Sequence, residues 1–463
     1  MSLFMEECKR VIKSLIFWLF VISLVVSWGV NFLGVTSEEI SAEDKPLTAH
    51  SDGSLPILRK PMQEDKVFGI KKKEMPDKLM TGAVDQLLIE YKQNRYQYYP
   101  LNYVKFKTFS KEQQNRIKEI LEEITGLSEK QLLNLPENYF PQTNGLGIIH
   151  MSKNNTLNES GGLSVSIKQE STQGDKNDKT KHFISQVSYE KFKELMLEVE
   201  AMIGKNSMYS MSSLIDRFGI ADQSYEEALE EYHTTIQKDK VTGAFARLFC
   251  DYIGLSAGLF PIFLVVFMML KDRRAKMNEL IYSRRSLSIK LIFCRYFAYV
   301  TVMIIPILLL SLESLIQLIF FGESHQIAID YFGFLKYILW WLLPTIMLVT
   351  AVGMFLTLLT DAPIAIAVQL IWWFVDSGLT KLSGDYSLFN LMIRNNSLRG
   401  YDLIHNNLAT IWTNRILLVS LAGILLLLSA WIYEKKRKGR FDFGSLYIKW
   451  QHTLQNKLHT QHT

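Results

Sequence analysis

The sequence has few cysteines and no recognisable catalytic or nucleotide-binding motif. Its three cysteines, too few and too scattered for a disulfide framework or a cysteine-based zinc site, lie near the ends of apolar runs. The sequence contains no G-x-x-x-x-G-K-[ST] loop, which excludes the usual cradle for nucleotide phosphates. It also has no H-E-x-x-H motif, and no G-x-S-x-G or paired-carboxylate site stands out, since the letters GLSAG at 254–258 lie inside an apolar run. We therefore predict no catalytic residue, no metal ligand and no bound cofactor in this chain. The cysteines are Cys8, Cys250 and Cys294.

A large imbalance of charge is absent as well. The chain carries 51 Lys and Arg against 46 Asp and Glu, and the formal net charge of +5 is too small to favour nucleic acid as a partner. The basic residues instead cluster beside apolar runs, as retention signals do on the cytoplasmic side of a membrane. This pattern indicates a membrane protein with one sizeable polar region.

Six apolar runs predict membrane-spanning helices, each of which needs roughly 20 residues to cross a bilayer. The first run, 14–35, follows Lys9, Arg10 and Lys13, so we expect its amino-terminal end to stay in the cytoplasm. It is longer than the apolar part of a signal peptide, and no A-x-A site follows it, which favours an uncleaved anchor over a cleaved leader. The other runs are 248–270, 291–321, 334–359, 364–379 and 413–433.

The region between the first two runs, 36–246, is polar and contains no spanning run. Capping boxes and apolar residues at helical spacing predict a mainly helical domain with a minor strand component. The stretch 152–180 is rich in Asn, Ser, Gly, Lys and Asp, which predicts a flexible insertion. The β-prone pieces 146–150 and 163–167 are expected to form a hairpin around it. The helix signals are the boxes Ser110-x-x-Gln113 and Ser224-x-x-Glu227 and the terminating residues Gly126 and Gly204.

The loop 271–290 predicts the orientation of the chain. It has seven Lys or Arg and two acidic residues among its 20 residues, and so short a basic loop between two spans stays in the cytoplasm. With six spans and both termini inside, the domain 36–246 is expected to be extracytoplasmic. Of the segments placed in the cytoplasm, only the turn at Asp361 lacks a basic residue. The predicted parts are 1–35 (cytoplasmic segment and first span), 36–246 (extracytoplasmic domain), 247–440 (spans two to six with the loop) and 441–463 (cytoplasmic tail).

This arrangement resembles the permease subunits of ABC-2-type ABC transporters. Such subunits have a basic amino terminus, one span, a large extracytoplasmic domain, five more spans and a basic tail. The stretch 251–300, which contains LKDRRAKMNELIYSRRSLSIK, is similar to the second span, the coupling segment and the start of the third span in that family. The ending NRILLVSLAGILLLLSAWIYEKKRKGR, 414–440, is similar to the last span and tail of the family.

The resemblance implies a multi-pass transport subunit, an exporter rather than an importer, in a bacterial plasma membrane. It implies that the chain hydrolyses nothing itself, because a separate ABC ATPase subunit binds ATP and Mg²⁺. It also implies a second permease copy or a related permease as partner, with membrane lipid around both.

In the family, the loop after the second span docks on the ATPase. Carried over, the docking segment is about 276–288, in which Glu279 matches the acidic position before a Leu-Ile pair and Ser283 matches the small polar residue after it. Arg285 and Met277 stand where the family usually has proline and glycine. A carboxylate among several guanidinium groups suits charge-assisted contacts with a soluble partner, and the alternative is a loop that only fixes topology at lipid headgroups. The predicted docking residues are Lys276, Asn278, Glu279, Leu280, Tyr282, Ser283, Arg284 and Arg285.

Polar residues within the spans suggest a translocation path. Glu313 and Gln317 lie one helical turn apart in the third span, and Asp376 lies near the outer end of the fifth. Ionisable groups at membrane depth are costly and often functional, although these three also suit the membrane–water interface. The polar stretch 380–412 suggests a re-entrant or surface helix, and Pro261, Pro306 and Pro344 are expected to kink their spans. A membrane receptor or sensor with an extracellular ligand-binding domain is the alternative, but no cytoplasmic stretch is long enough for a signalling domain.

Overall fold

The computed structural model describes residues 3–42, 55–99, 105–136, 139–140, 183–204, 207–274, 287–379, 384 and 386–439. It separates into two compact units. The membrane unit comprises 1–48, 56–62 and 229–463, and the polar unit comprises 49–55 and 63–228.

Helices dominate the described residues. Two five-residue π-helical turns, Thr234–Lys238 and Ile338–Leu342, interrupt the α-helices. In chain order the elements are α1 (Leu3–Ile12), α2 (Leu15–Asn31), α3 (Val35–Ser41), β1 (Ile70–Lys72), α4 (Pro76–Gln93), β2 (Tyr96–Tyr98), β3 (Lys105–Lys107), α5 (Lys111–Thr125), α6 (Glu129–Leu133), α7 (Tyr189–Ile203), α8 (Met211–Phe218), β4 (Ile220–Asp222), α9 (Tyr225–His233), α10 (Thr242–Leu259), α11 (Pro261–Arg274), α12 (Ser288–His325), α13 (Gly333–Tyr337), α14 (Leu343–Thr360), α15 (Ile364–Leu379), α16 (Tyr401–Asn406) and α17 (Leu408–Arg437).

The prediction of a mainly α-helical protein is confirmed, and five helical stretches are long and apolar enough to cross a membrane. A further apolar helix, α15, has 16 residues and is shorter than these five. The five stretches are Leu15–Ser41, Thr242–Lys271, Ser288–His325, Gly333–Thr360 and Leu408–Arg437.

The helices extend beyond the apolar runs. The second long stretch begins at Thr242, ahead of the expected 248, and the last begins at Leu408, ahead of the expected 413. The missing amide hydrogen of Pro261 explains why this second stretch breaks into α10 and α11 at Phe260. By contrast, α12 continues through Pro306 as one helix of 38 residues.

The core of the membrane unit lies where α14 packs against α11, α12 and α17. Trp341 and Tyr296 are almost completely buried there. Gly353 on α14 permits a close approach, because a Cβ at this position would lie 2.9 Å from Ile262 Cδ1 and 3.0 Å from Val265 Cγ1 of α11. The absence of a side chain at this one position therefore brings the two helix axes closer together.

The polar unit has its own core, formed by α4, α5, α7 and α8. The apolar positions at helical spacing are buried in it, including Ile117, Ile120 and Leu121 of α5 and Phe192 and Leu195 of α7. Two antiparallel strand pairs add the minor β component: β1 pairs with β4 and β2 pairs with β3.

The predicted caps of the polar unit are confirmed. Ser110 and Gln113 form a capping box at the start of α5, and Gly126 ends that helix with φ of 69°. Ser224 and Glu227 exchange the same pair of hydrogen bonds before α9. Gly204 ends α7. The predicted insertion and hairpin, 146–180, lie outside the described residues.

Candidate functional site

Three segments of the membrane unit meet at one end of its helix bundle. The Ser288 hydroxyl at the start of α12 donates a hydrogen bond to Glu434 near the end of α17. Lys436 Nζ lies 2.6 Å from Asp361 Oδ2, in the turn between α14 and α15. The turn at Asp361, which has no basic residue of its own, thus lies beside the basic end of α17, and α12 emerges there from the loop 271–290.

The amino-terminal helix α1 packs against α12 through a buried ion pair. Arg295 Nε donates a 3.0 Å hydrogen bond to Glu7 Oε1, and both side chains are less than a tenth exposed. Arg10 lies 3.6 Å from the other oxygen of Glu7. Because breaking one partner of a buried pair is costly, this pair fixes α1 against α12.

The predicted docking residues, Lys276 to Arg285, lie outside the described residues. Their assignment to a partner interface stays a prediction.

The three predicted path residues fall into two separate groups. Glu313 accepts hydrogen bonds from Gln317 and, at 2.9 Å, from Ser314, and Thr36 of α3 donates to Ser314 at 2.9 Å. These contacts tie α12 to α3. Asp376 makes quite different contacts, with backbone amides that follow α15 in the chain.

Asp376 holds an irregular segment against the helix bundle. Its two carboxylate oxygens accept hydrogen bonds from the backbone N–H groups of Leu391, at 2.9 Å, and Met392, at 3.2 Å. Both residues are almost fully buried. We call 386–399 the inserted segment; it forms turns, so the helix expected within 380–412 begins only at α16.

Side chains from α14 and α17 bind the backbone carbonyls of the inserted segment. Asn414 Nδ2 donates to the carbonyls of Ser387, Leu388 and Asn390 at 3.1, 2.9 and 2.9 Å. Thr345 Oγ1 donates to the Leu391 carbonyl at 2.7 Å. A buried non-helical backbone needs such partners, because an unpaired carbonyl away from water is costly.

Arg415 hydrogen-bonds both to the inserted segment and to the π-helical turn before α14. It is 2% exposed, and its guanidinium donates to the Trp341 carbonyl at 2.8 Å, to Thr345 Oγ1 at 3.0 Å and to the Asn390 carbonyl at 3.2 Å. The fork of five N–H donors in arginine suits this role, since it reaches several acceptors from one buried position.

Two further acid–base pairs lie at the other half of the inserted segment. Asp251 of α10 accepts a 2.5 Å hydrogen bond from Arg394 Nε and a 3.2 Å bond from the Asn395 backbone N–H. One turn earlier in α10, Arg247 binds both carboxylate oxygens of Asp239 at 2.7 and 2.5 Å.

Sequence reasoning missed these residues although they carried a signal. Asp251, Arg295 and Arg415 all lie inside predicted apolar runs, where an ionisable side chain is a functional candidate by default. Arg247 lies one residue ahead of the second predicted run, which begins at 248. Their partners lie up to 288 residues away in sequence, so the pairs themselves had no local signal.

The buried polar side chains of the membrane unit thus bind the backbone of the inserted segment and hold neighbouring helices together. Among the described ranges, no group of three or more His, Cys, Asp or Glu is placed to hold a metal ion. No protein-family model, curated protein or solved structure matches this chain.

Proposed function

We propose that this chain is the permease subunit of an ABC transporter that exports its cargo across a bacterial plasma membrane. A separate ATPase subunit would bind ATP and Mg²⁺ and dock on the loop 271–290. Six spans, with α15 as the fifth, and an extracytoplasmic domain are part of this proposal. A second copy of the chain or a related permease would complete the membrane assembly.

The observation that carries the proposal is the meeting of segments at one end of the bundle. The Lys436–Asp361 and Ser288–Glu434 contacts bring the basic end of α17, the turn between α14 and α15 and the start of α12 together. A common cytoplasmic face for these segments agrees with the retention of Lys and Arg on that side. Such a face would present the loop 271–290 to a soluble partner.

Copurification of this chain with a coexpressed candidate ABC ATPase subunit tests the docking. Glu279→Arg replaces the one acidic residue of the docking segment and is expected to weaken the complex and the stimulation of ATP hydrolysis about tenfold or more, as loss of an interfacial charge pair does. Glu323→Arg is the matched control, because Glu323 is exposed at the opposite end of α12. Equal copurification of wild type and Glu279→Arg would reject the docking segment.

Cysteine labelling of intact cells tests the orientation separately. In a background with Cys8, Cys250 and Cys294 replaced by serine, a cysteine at Ser171 should react with an impermeant maleimide and a cysteine at Ser283 should not. The reverse pattern would overturn the orientation and, with it, the receptor alternative that shares it.

A further inference from the structure

The inserted segment is held by two different kinds of contact. Its first half, 387–392, is bound through its backbone by side chains of three helices: Asn414 and Arg415 of α17, Thr345 of α14 and Asp376 of α15. These contacts do not depend on the side chains of the segment itself. This half is bound at nearly every residue.

The second half, 393–399, is held by two of its own charged side chains, besides the apolar contacts of Ile393 and Leu398 with the core. Arg394 binds Asp251 at 2.5 Å, and Arg399 Nε lies 3.4 Å from Glu231 Oε1. The bond from Arg247 to the Leu398 carbonyl is long, at 3.4 Å. This half therefore depends on ion pairs, and of these two pairs only Asp251–Arg394 has a fully buried carboxylate.

Polar atoms beside this ion pair lack hydrogen-bond partners in the part of the chain that the structure describes. They are Asp251 Oδ2 and Arg247 Nε, both of them buried. An unsatisfied buried polar atom raises the free energy of the arrangement that contains it. Opening the second half would let water reach these atoms and would solvate Arg394 and Asp251, which offsets the loss of their attraction.

We propose that residues 393–399 are a latch that opens about a hinge at Met392, while 387–392 stay bound. Asp251–Arg394 is the contact that closes the latch. In the closed position Ile393 is 7% exposed, and in the open position its side chain reaches solvent together with Asp251. The latch is a property of the segment and its contact with Asp251, and it does not depend on the proposed transport function.

Cysteine accessibility distinguishes the two halves. In the background without native cysteines, Ile393→Cys reports on the latch and Leu391→Cys, which replaces a fully buried side chain, reports on the bound half. Asp251→Asn keeps the shape of the side chain and an acceptor for Asn395 but removes the charge that holds Arg394. It is expected to raise the maleimide labelling rate at position 393 about tenfold or more and to leave position 391 unchanged.

Two outcomes would overturn the latch. One is an unchanged rate at position 393, and the other is an equal rise at both positions, which would mean that the whole segment loosens. Arg394→Gln is the second variant, with the same expectation, should Asp251→Asn not accumulate as folded protein.

Hydrogen exchange on the unmodified chain provides an independent test. After correction for intrinsic rates, the amides of Leu391 and Met392 should exchange about tenfold or more slowly than the Asn395 amide, because only the latter opens with the latch. Equal protection of these amides would reject the hinge at Met392.

Discussion

The Tyr209 hydroxyl donates a 2.7 Å hydrogen bond to Glu90 Oε2 in the core of the polar unit. The other oxygen of Glu90 accepts hydrogen bonds from Gln86 Nε2 at 3.1 Å and from the Gln97 backbone N–H at 3.2 Å. Burial raises the pKa of Glu90 from 4.5 to about 7, although these three hydrogen bonds oppose the shift. The Glu90 carboxyl therefore titrates near neutral pH in the folded chain.

We expect the polar unit to lose stability as the pH rises from about 4.5 to about 7. The folded state holds the Glu90 proton to a higher pH than the unfolded state, so this contribution to the free energy of unfolding is complete below pH 4.5 and is lost through the folded pKa. The shift corresponds to about 3 kcal/mol. Urea unfolding of the full chain at several pH values, with proteolytic cleavage of the polar unit as the readout, measures this change in the free energy of unfolding. Tryptophan fluorescence would not measure it, because all nine tryptophans lie outside 49–228 and report only on the membrane unit.

Glu90→Gln should flatten this pH dependence, since the amide keeps the shape and cannot ionise. Glu123→Gln, on the exposed side of α5, is the control and should keep the wild-type profile. A wild-type slope in Glu90→Gln would assign the pH dependence to another group.

The Glu7–Arg295 pair predicts how firmly α1 is held. Glu7→Gln removes the charge that faces Arg295 and should raise the maleimide labelling of the buried Cys8 about tenfold in a chain lacking the other two cysteines. Glu6→Gln changes the exposed neighbouring residue and should have no effect. Equal labelling of the two variants would show that apolar contacts alone hold α1.

Asn414 and Asn396 form a matched pair for the inserted segment. Asn414→Leu removes the donor to three backbone carbonyls and should destabilise the membrane unit by about 2 kcal/mol or more. Asn396→Leu changes an exposed side chain of the same segment and should be nearly neutral. Thermal unfolding, monitored by tryptophan fluorescence, gives the melting temperature of each variant. The prediction is wrong if both variants have the melting temperature of the wild type.

The close approach of α11 and α14 predicts that a large side chain destabilises the protein at Gly353 but not at a glycine with open space around it. Gly353→Leu should force the helices apart and cost about 1–3 kcal/mol, because a side chain at this position meets Ile262 and Val265. Gly423→Leu on α17 has nothing within 4 Å of the new Cβ and should be tolerated. Melting temperatures compare the two variants, and similar values would argue against close packing at Gly353.

Local sequence signals predicted the apolar helices and caps well. The boxes at Ser110 and Ser224 and the stops at Gly126 and Gly204 depend on residues three or four positions apart, so the sequence contains the whole interaction. The same holds for the long apolar stretches, whose length alone indicates a membrane span.

Local sequence signals could not predict the structure of the inserted segment. The sequence predicted a re-entrant or surface helix there, because the partners of the segment, Asp251, Thr345 and Asn414, lie on three other helices and leave no local signal. Asp376 was singled out for a path, yet its carboxylate binds backbone N–H groups. The sequence identifies an ionisable residue within an apolar run, but the partner of that residue is determined by how the helices pack.

The hydrogen bonds to the backbone of 387–392 constrain the number of residues in this stretch more than the type of each residue. Asn414, Thr345 and Asp376 recognise carbonyl and amide groups, which every residue other than proline supplies alike, so many replacements at these positions are compatible with the same contacts. An added or deleted residue would instead shift each carbonyl away from its donor. In related chains, the exposed positions 387–389 should therefore drift in sequence, while the number of residues in the stretch stays fixed and the buried Leu391 and Met392 stay apolar.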